Sequence, residues 1–226
     1  MKKLVIFVLS LSACTPFGPN KTGDNGKGAF RYECSAATDP TCQGAVVDQS
    51  FPTQIALGSV FAAGFISNDV VQNTADSVTN STTASTLQSA ATRLLRFESG
   101  HFHAVANGYA GVIALNSSGR VVDFTHVLIA PPTSLAILRD STTPALAVMK
   151  VGDSQTVFAS PLDENGLTIA GAVPTTWAVS DSGVLQLVET SPAVTMPVNA
   201  KAVGTATLTV TASGVTRTLT ITVEAP

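Results

Sequence analysis

The chain has 226 residues, of which 45% are hydrophobic and only 12% are charged, and its formal net charge is −3. The charged fraction is about half of the ~25% usual in soluble domains, so solubility depends on Ser, Thr and Asn. No run of Lys or Arg follows Lys3, which excludes the basic stripe that nucleic-acid binding requires. Nucleic acid is therefore not expected as a partner.

The first fourteen residues carry the strongest information about location. Lys2 and Lys3 precede a largely apolar run at 4–11, and the tetrapeptide LSAC occupies 11–14. As a helix, eight residues would rise only about 12 Å, against about 30 Å for the hydrocarbon core of a bilayer. The run therefore predicts a cleaved leader and not a membrane span. The whole pattern resembles a bacterial lipoprotein signal that ends in a lipobox.

This resemblance implies cleavage after residue 13 and acylation of Cys14, with several acyl chains giving firm attachment to the membrane. Thr15, in place of an acidic residue, favours the outer membrane. The predicted location is the bacterial cell envelope, lipid-anchored, with the rest of the chain facing the periplasm or the cell surface. Loss of Lys2 and Lys3 with the leader would change the formal charge from −3 to −5. An ordinary secretory signal that happens to contain a cysteine is the alternative.

Lipidation of Cys14 would leave Cys34 and Cys42 as an even pair in an oxidising compartment. Their spacing does not fit the C-x-x-C pattern of zinc or redox sites, and Asp39-Pro40 between them supplies a turn. We predict a Cys34–Cys42 disulfide that braces the entry to the first module and contributes roughly 2 to 3 kcal/mol. Two free thiols are the alternative.

The mature chain divides into three parts on composition. Residues 14–30 are predicted to be the lipidated cysteine and a flexible tether, because a stretch rich in Pro, Asn and Gly cannot bury enough apolar area to fold. Residues 31–131 and 132–226 are each long enough for one small β-sandwich. Between Ser67 and Ala91 a Ser-, Thr- and Asn-rich stretch predicts a long exposed loop, either an adaptable binding surface or a disordered insertion.

The end of the chain has the clearest strand pattern. From Thr205 to Ala212, Ala, Leu and Val alternate with four threonines, and residues 215–223 repeat the alternation after Ser213-Gly214. Alternation of this kind indicates half-buried strands, and Ser-Gly is a suitable tight reversal. We predict a hairpin with an aliphatic face, which packs on a second sheet, and a threonine face, which meets water.

Shorter strands and turns precede this hairpin. The most informative elements are Val151-Gly152, Leu162-Asp163, Asn165-Gly166, Trp177 with Ser180, and the pentapeptide AVGTA at 202–206. Together they resemble the group 2 bacterial immunoglobulin-like domain over residues 132–226. The resemblance implies a β-sandwich in which Trp177 fills the core between two sheets.

The first half of the chain repeats the plan of the second half. Residues 102–108 match residues 198–204, Gly58 corresponds to Gly152, and Leu87 stands where the second half has Trp177. Both halves end in Ala-Pro. A duplicated unit of this length favours tandem modules over one larger fold. The predicted fold class is all-β, with two tandem immunoglobulin-like β-sandwiches.

Few residues could carry chemistry. His101 and His103 would share one face of a strand, and with His126 they could bind zinc only if strand register brought all three together. Surface histidines are the favoured interpretation, and no metal or other cofactor is predicted. Asp163 and Glu164 are most simply solvated turn residues, although with Asn165 they could form a calcium site.

No catalytic signature is present in the sequence: it contains neither G-x-S-x-G nor H-E-x-x-H. The protein is therefore predicted not to be an enzyme. We expect a lipid-anchored envelope or surface protein whose modules act in adhesion or protein binding, with an unidentified protein or surface polysaccharide as partner. A structural spacer and a carbohydrate-binding accessory lipoprotein are the alternatives. Cys14, as the anchor, is the residue with the clearest predicted role.

Overall fold

The computed structural model describes residues 21–33, 39, 42, 49–67, 86–140, 143–189, 193 and 195–226. Eighteen β-strands lie in these ranges, and none of the described residues belongs to an α-helix. The protein is therefore all-β, as the strand patterns predicted. No helix in the described ranges is long and apolar enough to cross a membrane.

The first ten strands make up two sheets, which we call the first module. They are β1 (Lys21–Thr22), β2 (Gly28–Glu33), β3 (Gln49–Ser50), β4 (Gln54–Ala56), β5 (Val60–Ser67), β6 (Thr86–Ser89), β7 (Leu95–Glu98), β8 (His101–Ala104), β9 (Gly108–Leu115) and β10 (Val121–Ala130). One sheet has the order β1-β2-β5-β8-β7, with β3 also paired to β2, and the other has the order β4-β10-β9-β6.

The last eight strands form a second pair of sheets, the second module. They are β11 (Ser134–Leu138), β12 (Val148–Lys150), β13 (Ser154–Leu162), β14 (Thr176–Val179), β15 (Leu185–Leu187), β16 (Thr195–Ala200), β17 (Gly204–Ala212) and β18 (Val215–Glu224). Their sheet orders are β11-β13-β16-β15 and β12-β18-β17-β14.

The order of the strands identifies the fold class. An immunoglobulin constant-type sandwich has strands A, B, E and D in one sheet and C, F and G in the other. In the second module β11, β13, β16 and β15 take the places of A, B, E and D, while β14, β17 and β18 take those of C, F and G. The short β12 is added in parallel to the end of β18. The fold is therefore immunoglobulin-like, as expected.

The first module has the same topology, which explains the repeat in the sequence. Strands β2, β5, β8 and β7 correspond to A, B, E and D, and β6, β9 and β10 correspond to C, F and G, with β4 parallel to β10. Gly58 and Gly152 precede the two B-type strands with φ of 82° and 93°, a left-handed conformation that suits glycine. Leu87 lies on β6 and Trp177 on β14, the two C-type strands.

The second core is aliphatic around one tryptophan. Alternate residues of β17 are buried, among them Ala206, Leu208 and Val210, so the predicted inward face is confirmed. Trp177 is 4% exposed and packs in the same cluster. Its Nε1 donates hydrogen bonds to Thr175 Oγ1 at 2.8 Å and to the Ala193 carbonyl at 2.9 Å. The single polar atom of the indole is thus satisfied inside the core.

The first core is aromatic instead. Tyr32 stacks on Phe61 at a ring-centroid distance of 5.6 Å, and Phe61 stacks on Phe102 at 5.3 Å. Phe30 is also fully buried in this cluster. These rings come from β2, β5 and β8, in the sheet opposite β6, and they supply the large side chains of the core. Leu87 on β6 can therefore stand where the second module has a tryptophan.

Two segments differ from the sequence-based expectations. Residues 21–30, assigned above to the flexible tether, contain β1 and the start of β2. The Ser67–Ala91 stretch, expected to be one long loop, contains β6 at Thr86–Ser89, while residues 68–85 lie outside the described ranges. In both places local composition was outweighed by pairing to a neighbouring strand, β2 with β5 and β6 with β9.

Candidate functional site

The two modules meet through backbone pairing. Residues 169–172, which we call the junction segment, lie beside β4 and the start of β5. Ala170 pairs in parallel with Ile55, and Ala172 pairs antiparallel with Val60. The amide of Ala56 donates to the Ala170 carbonyl at 2.8 Å, and the amide of Val60 donates to the Ala172 carbonyl at 3.1 Å. The second module thus covers backbone groups at an edge strand of the first module.

The junction requires glycine at one position. Gly171 has φ +109°, and a Cβ built there would lie 2.2 Å from Ser59 Oγ and 2.5 Å from Ser59 Cβ. Ser59 is 1% exposed, so its side chain has no open space into which to move. Gly171 therefore serves both the backbone conformation and the close approach of the two modules.

Side chains also cross the junction. Ala170 of the second module is buried in the first core, and Ala56 of the first module is buried in the second core. Ser213, in the β17–β18 turn, donates a hydrogen bond from Oγ to the Leu57 carbonyl at 2.8 Å. Backbone pairing, reciprocal burial and this hydrogen bond together hold the modules in one relative placement.

A cleft of about 290 Å³ opens beside this junction. We call it the junction cleft. Residues of both modules and of the link between them line it: Gln54, Leu128, Ala130, Pro131, Thr133, Asp163, Glu164 and Asn165. Two of these carry carboxylates, two carry amides, and none is Lys or Arg. The cleft therefore combines an apolar floor with polar, negatively charged groups from the second module.

One row of outward-facing residues forms the floor and its margin. Gln54 of β4 is paired with Leu128 of β10, and Leu128 is paired with Tyr109 of β9. Directly paired residues of antiparallel strands have Cβ atoms about 4.5 to 5.5 Å apart on the same face of the sheet. Tyr109, which is 73% exposed, therefore lies beside Leu128 at the margin of the cleft.

The opposite wall is the turn that follows β13. Asp163 Oδ1 accepts hydrogen bonds from the amides of Asn165 and Leu167, both at 2.8 Å. The Asp163 carboxylate thus stabilises the turn, as expected for an Asp at this position. Glu164 and Asn165 are exposed. The described residues contain no group of three or more His, Cys, Asp or Glu side chains that could hold a metal ion, so the calcium hypothesis gains no support.

The histidines are not assembled into one site. His101 and His103 lie on β8, in one sheet of the first module, and His126 lies on β10, in the other. The Nδ1 atom of His126 lies 2.8 Å from Asp24 Oδ2 in an exposed pair. The strand register thus separates the three rings that the zinc hypothesis needed to converge.

The predicted cysteine sites are only partly within the described ranges. Cys14 and Cys34 lie outside them, so lipidation and the Cys34–Cys42 pairing remain predictions. Cys42 is 6% exposed in the first core. Its amide donates to the Asp39 carbonyl at 2.9 Å, within the turn expected between the two cysteines.

The sequence patterns did not predict the buried carboxylate of Asp123. Asp123 of β10 is fully buried and accepts hydrogen bonds from the amides of Asn25, Lys27 and Gly28 at 2.8, 2.7 and 3.1 Å. We call this loop, residues 23–28, the N-terminal clasp. A Cβ on Gly23 would collide with the carboxylate, since it would lie 2.2 Å from Asp123 Cγ. Nothing local marks this contact, because its partners are nearly a hundred residues apart.

A second groove, of about 310 Å³, runs along β11 and the start of β18. Aliphatic residues dominate its lining, which includes Leu135, Ile137, Pro144 and Leu219, with Arg217 as its one charged side chain. Neither this groove nor the junction cleft is lined by an aromatic side chain, but four of the side chains that line the junction cleft are carboxylates or amides, and none of those that line this groove is. The junction cleft is therefore the better candidate for recognition of a polar ligand.

No protein-family model matches the chain, and no curated protein matches it. Among solved structures, domains 4 and 5 of the S-layer protein SbsC are similar, at 15% identity over 70% of this chain and 89% of that chain, with a TM-score of 0.33. The Escherichia coli adhesin FdeC shares 16% identity over 77% of this chain and 61% of that chain, with a TM-score of 0.35. The Yersinia pseudotuberculosis adhesin InvE shares 17% identity over 76% of this chain and 57% of that chain, with a TM-score of 0.34.

Proposed function

We propose that this protein is a lipid-anchored, non-enzymatic binding protein of the bacterial envelope, acting in adhesion or in binding a protein or surface polysaccharide. The observation that carries the proposal is the fixed placement of two immunoglobulin-like modules around an open cleft. Among the described residues that line this cleft there is no histidine, serine or cysteine, and its two carboxylates are sequence neighbours on one turn, where Asp163 Oδ1 accepts the amides of Asn165 and Leu167. A rigid, concave, polar surface favours recognition over catalysis.

The anchor is proposed from the sequence, with cleavage after residue 13 and lipidation of Cys14. Strand β1 begins at Lys21. The seven steps from Cys14 to Lys21 span at most about 25 Å when fully extended. The first module would therefore stay close to the membrane surface, and the second module would lie farther along the chain. This arrangement suits a binding protein that presents its cleft near the envelope.

We also propose that Cys34 and Cys42 form a disulfide. Cys34 directly follows the last residue of β2, Glu33. Cys42 is buried against the same core. A bridge there would close a short loop beside the aromatic stack and limit the freedom of the unfolded chain.

Palmitate labelling of cells that express the wild type or Cys14→Ala tests the anchor. We expect label in the wild type and none in the variant, and intact-mass analysis should find the mature chain starting at Cys14 with its fatty chains. Alkylation without reduction should leave Cys34 and Cys42 untagged. Label that persists in Cys14→Ala would contradict the anchor, and tags on both cysteines would contradict the disulfide.

Display on the surface requires a separate measurement. Protease treatment of intact cells should degrade the protein if it faces outward, and cells lacking it should adhere less to the surfaces that the wild type colonises. Resistance to protease together with unchanged adherence would contradict adhesion. A structural spacer is the second candidate, favoured by the rigid junction, and it predicts adherence that is insensitive to substitutions in the cleft.

A further inference from the structure

We propose that the junction cleft binds an uncharged carbohydrate chain and that the exposed ring of Tyr109 is the platform on which one sugar ring stacks. This inference rests on the proposed binding function and names its ligand class and site. It combines the aromatic residue at the margin of the cleft, the polar wall opposite, and the fixed junction between the modules.

The exposure of Tyr109 is the first step. Of the two tyrosines in the chain, Tyr32 is fully buried and Tyr109 is 73% exposed. An exposed aromatic ring on a sheet offers an apolar face with a polar tip. A sugar ring has the matching character, because its C–H groups form an apolar face and its hydroxyls form a polar rim. Leu128, paired with Tyr109, extends the apolar surface into the cleft.

The polar wall supplies hydrogen-bonding groups for the hydroxyl rim. Carboxylates of Asp163 and Glu164 accept hydrogen bonds, while the amides of Gln54 and Asn165 both donate and accept. A ligand site of this kind is mostly apolar with a few well-placed polar groups. Two carboxylates without a Lys or Arg in the lining repel anions, so the cleft disfavours acidic sugars and phosphates.

The size and charge of the cleft favour a sugar over a protein segment. Its volume of about 290 Å³ is at the lower end of ligand sites, which begin near 300 Å³. A standard protein interface buries about 800 Å² on each partner, and the cores of such interfaces are depleted of Asp and Glu. Glu164 and Asn165 are exposed, so a chain longer than one or two sugar rings can continue past the wall.

The junction makes this cleft preformed. Gln54 contributes to the floor, and its backbone carbonyl accepts a hydrogen bond from the amide of Ala170 at 3.4 Å. The floor comes from the first module and the wall from the second, and the junction segment sets the distance between them. A site whose walls are already placed loses less conformational freedom on binding.

Tyrosine-labelled protein gives a direct test, because one tyrosine is buried and the other is exposed. The purified wild-type chain, with ring-carbon-labelled tyrosine, is titrated by NMR with maltohexaose, cellohexaose and chitohexaose, and with oligogalacturonate as the anionic probe. We expect at least one neutral oligosaccharide to shift the Tyr109 resonance at up to millimolar concentration and to leave Tyr32 unshifted. Oligogalacturonate should not bind.

Variants locate the binding. Calorimetry of Tyr109→Ala should show Kd for the bound oligosaccharide raised at least about tenfold, which corresponds to about 1.4 kcal/mol. Val203→Ala is the matched control, since Val203 is 63% exposed on the second module, and its Kd should be unchanged. Far-ultraviolet circular dichroism, which reports on both modules, checks that both variants are folded.

Three results would overturn the proposal: no neutral oligosaccharide shifts Tyr109, Tyr109→Ala binds as tightly as the wild type, or oligogalacturonate binds equally well. Palmitate labelling and protease treatment involve no sugar. Their outcome therefore separates a failure of the carbohydrate site from a failure of the envelope function.

Discussion

Asp123 shows how much one residue can contribute to the first module. Its carboxylate is fully buried where the register between β9 and β10 shifts, and it accepts the amides of the N-terminal clasp as well as that of Phe124. A buried carboxylate is costly unless hydrogen bonds compensate for the lost water. Here backbone amides donate the compensating hydrogen bonds to Asp123. The same hydrogen bonds hold β1 and β2 against the other sheet.

We predict that Asp123→Asn destabilises the protein by about 2 to 4 kcal/mol. The asparagine amide nitrogen cannot accept a hydrogen bond, so at least one buried backbone amide loses its partner, and the remaining bonds lose their charge assistance. Urea denaturation followed by far-ultraviolet circular dichroism measures the change.

The control for this prediction is Asp181→Asn. Asp181 is exposed, and its Oδ1 accepts a hydrogen bond from the amide of Gly183 at 2.8 Å in a local turn. The same chemical change should cost less than about 1 kcal/mol there. Equal losses in the two variants would show that the clasp contributes nothing beyond a local turn.

Among the structural elements, the junction segment is short, yet it has a large effect on how the two modules are arranged. Its residues belong to the second module in sequence, yet they pair with β4 and β5 of the first module. An edge strand is thereby covered, and the junction cleft keeps its two walls. The link at 131–133 connects the modules along the chain, whereas the junction segment pairs with the backbone of the first module.

We predict that Gly171→Ala loosens the junction. The new Cβ would meet Ser59 Oγ at 2.2 Å, and alanine would also have to adopt φ +109°. Small-angle X-ray scattering should then show a larger radius of gyration than in the wild type. Gly166→Ala is the matched control, because Gly166 has φ +76° and a Cβ added there would meet nothing within 4 Å.

A rescue separates steric contact from backbone strain. Ser59→Gly removes both atoms that the Gly171→Ala methyl group would hit, and no hydrogen bond is lost because Ser59 Oγ has no partner among the described residues. The double variant should therefore recover part of the wild-type scattering profile. Identical profiles for Gly171→Ala and Gly166→Ala would contradict the role assigned to the junction segment.

On the scale of the whole molecule, the two cores are linked. Ala56 packs in the second core and Ala170 packs in the first, so unfolding of one module removes a buried residue and several backbone hydrogen bonds from the other. Modules that share such contacts unfold with partial or full cooperativity, unlike domains on a flexible linker.

We predict that Asp123→Asn, in the first module, lowers the thermal midpoint reported by Trp177 in the second module. The chain has one tryptophan, so its fluorescence follows the second module alone, while circular dichroism follows both. The two midpoints should fall together. A fluorescence midpoint that stays at the wild-type value while the dichroism splits into two transitions would contradict this linkage.

Several features of the fold followed from local sequence. Alternation at residues 205–223 predicted β17 and β18 with their faces, because period-two burial is a property of a single strand. The repeat that aligns Gly58 with Gly152, and Leu87 with Trp177, predicted two modules of one topology. Local composition was misleading where a segment acquires its structure from a distant strand, as with β1, the start of β2, and β6.

By itself the sequence determined most of the strand content, through alternation of neighbouring residues, and the repeated arrangement of the two halves; the family resemblance implied the core position of Trp177, and the anchor at Cys14 stays a prediction from a short motif. Only the tertiary structure decided that Asp123 holds the N-terminal clasp, that Gly171 lies against Ser59, and that Leu128, the strand partner of Tyr109, lines a cleft together with Glu164. These contacts join residues far apart in the chain. Their formation depends on sheet register and on the packing of one module against the other, and neither leaves a local pattern in the sequence.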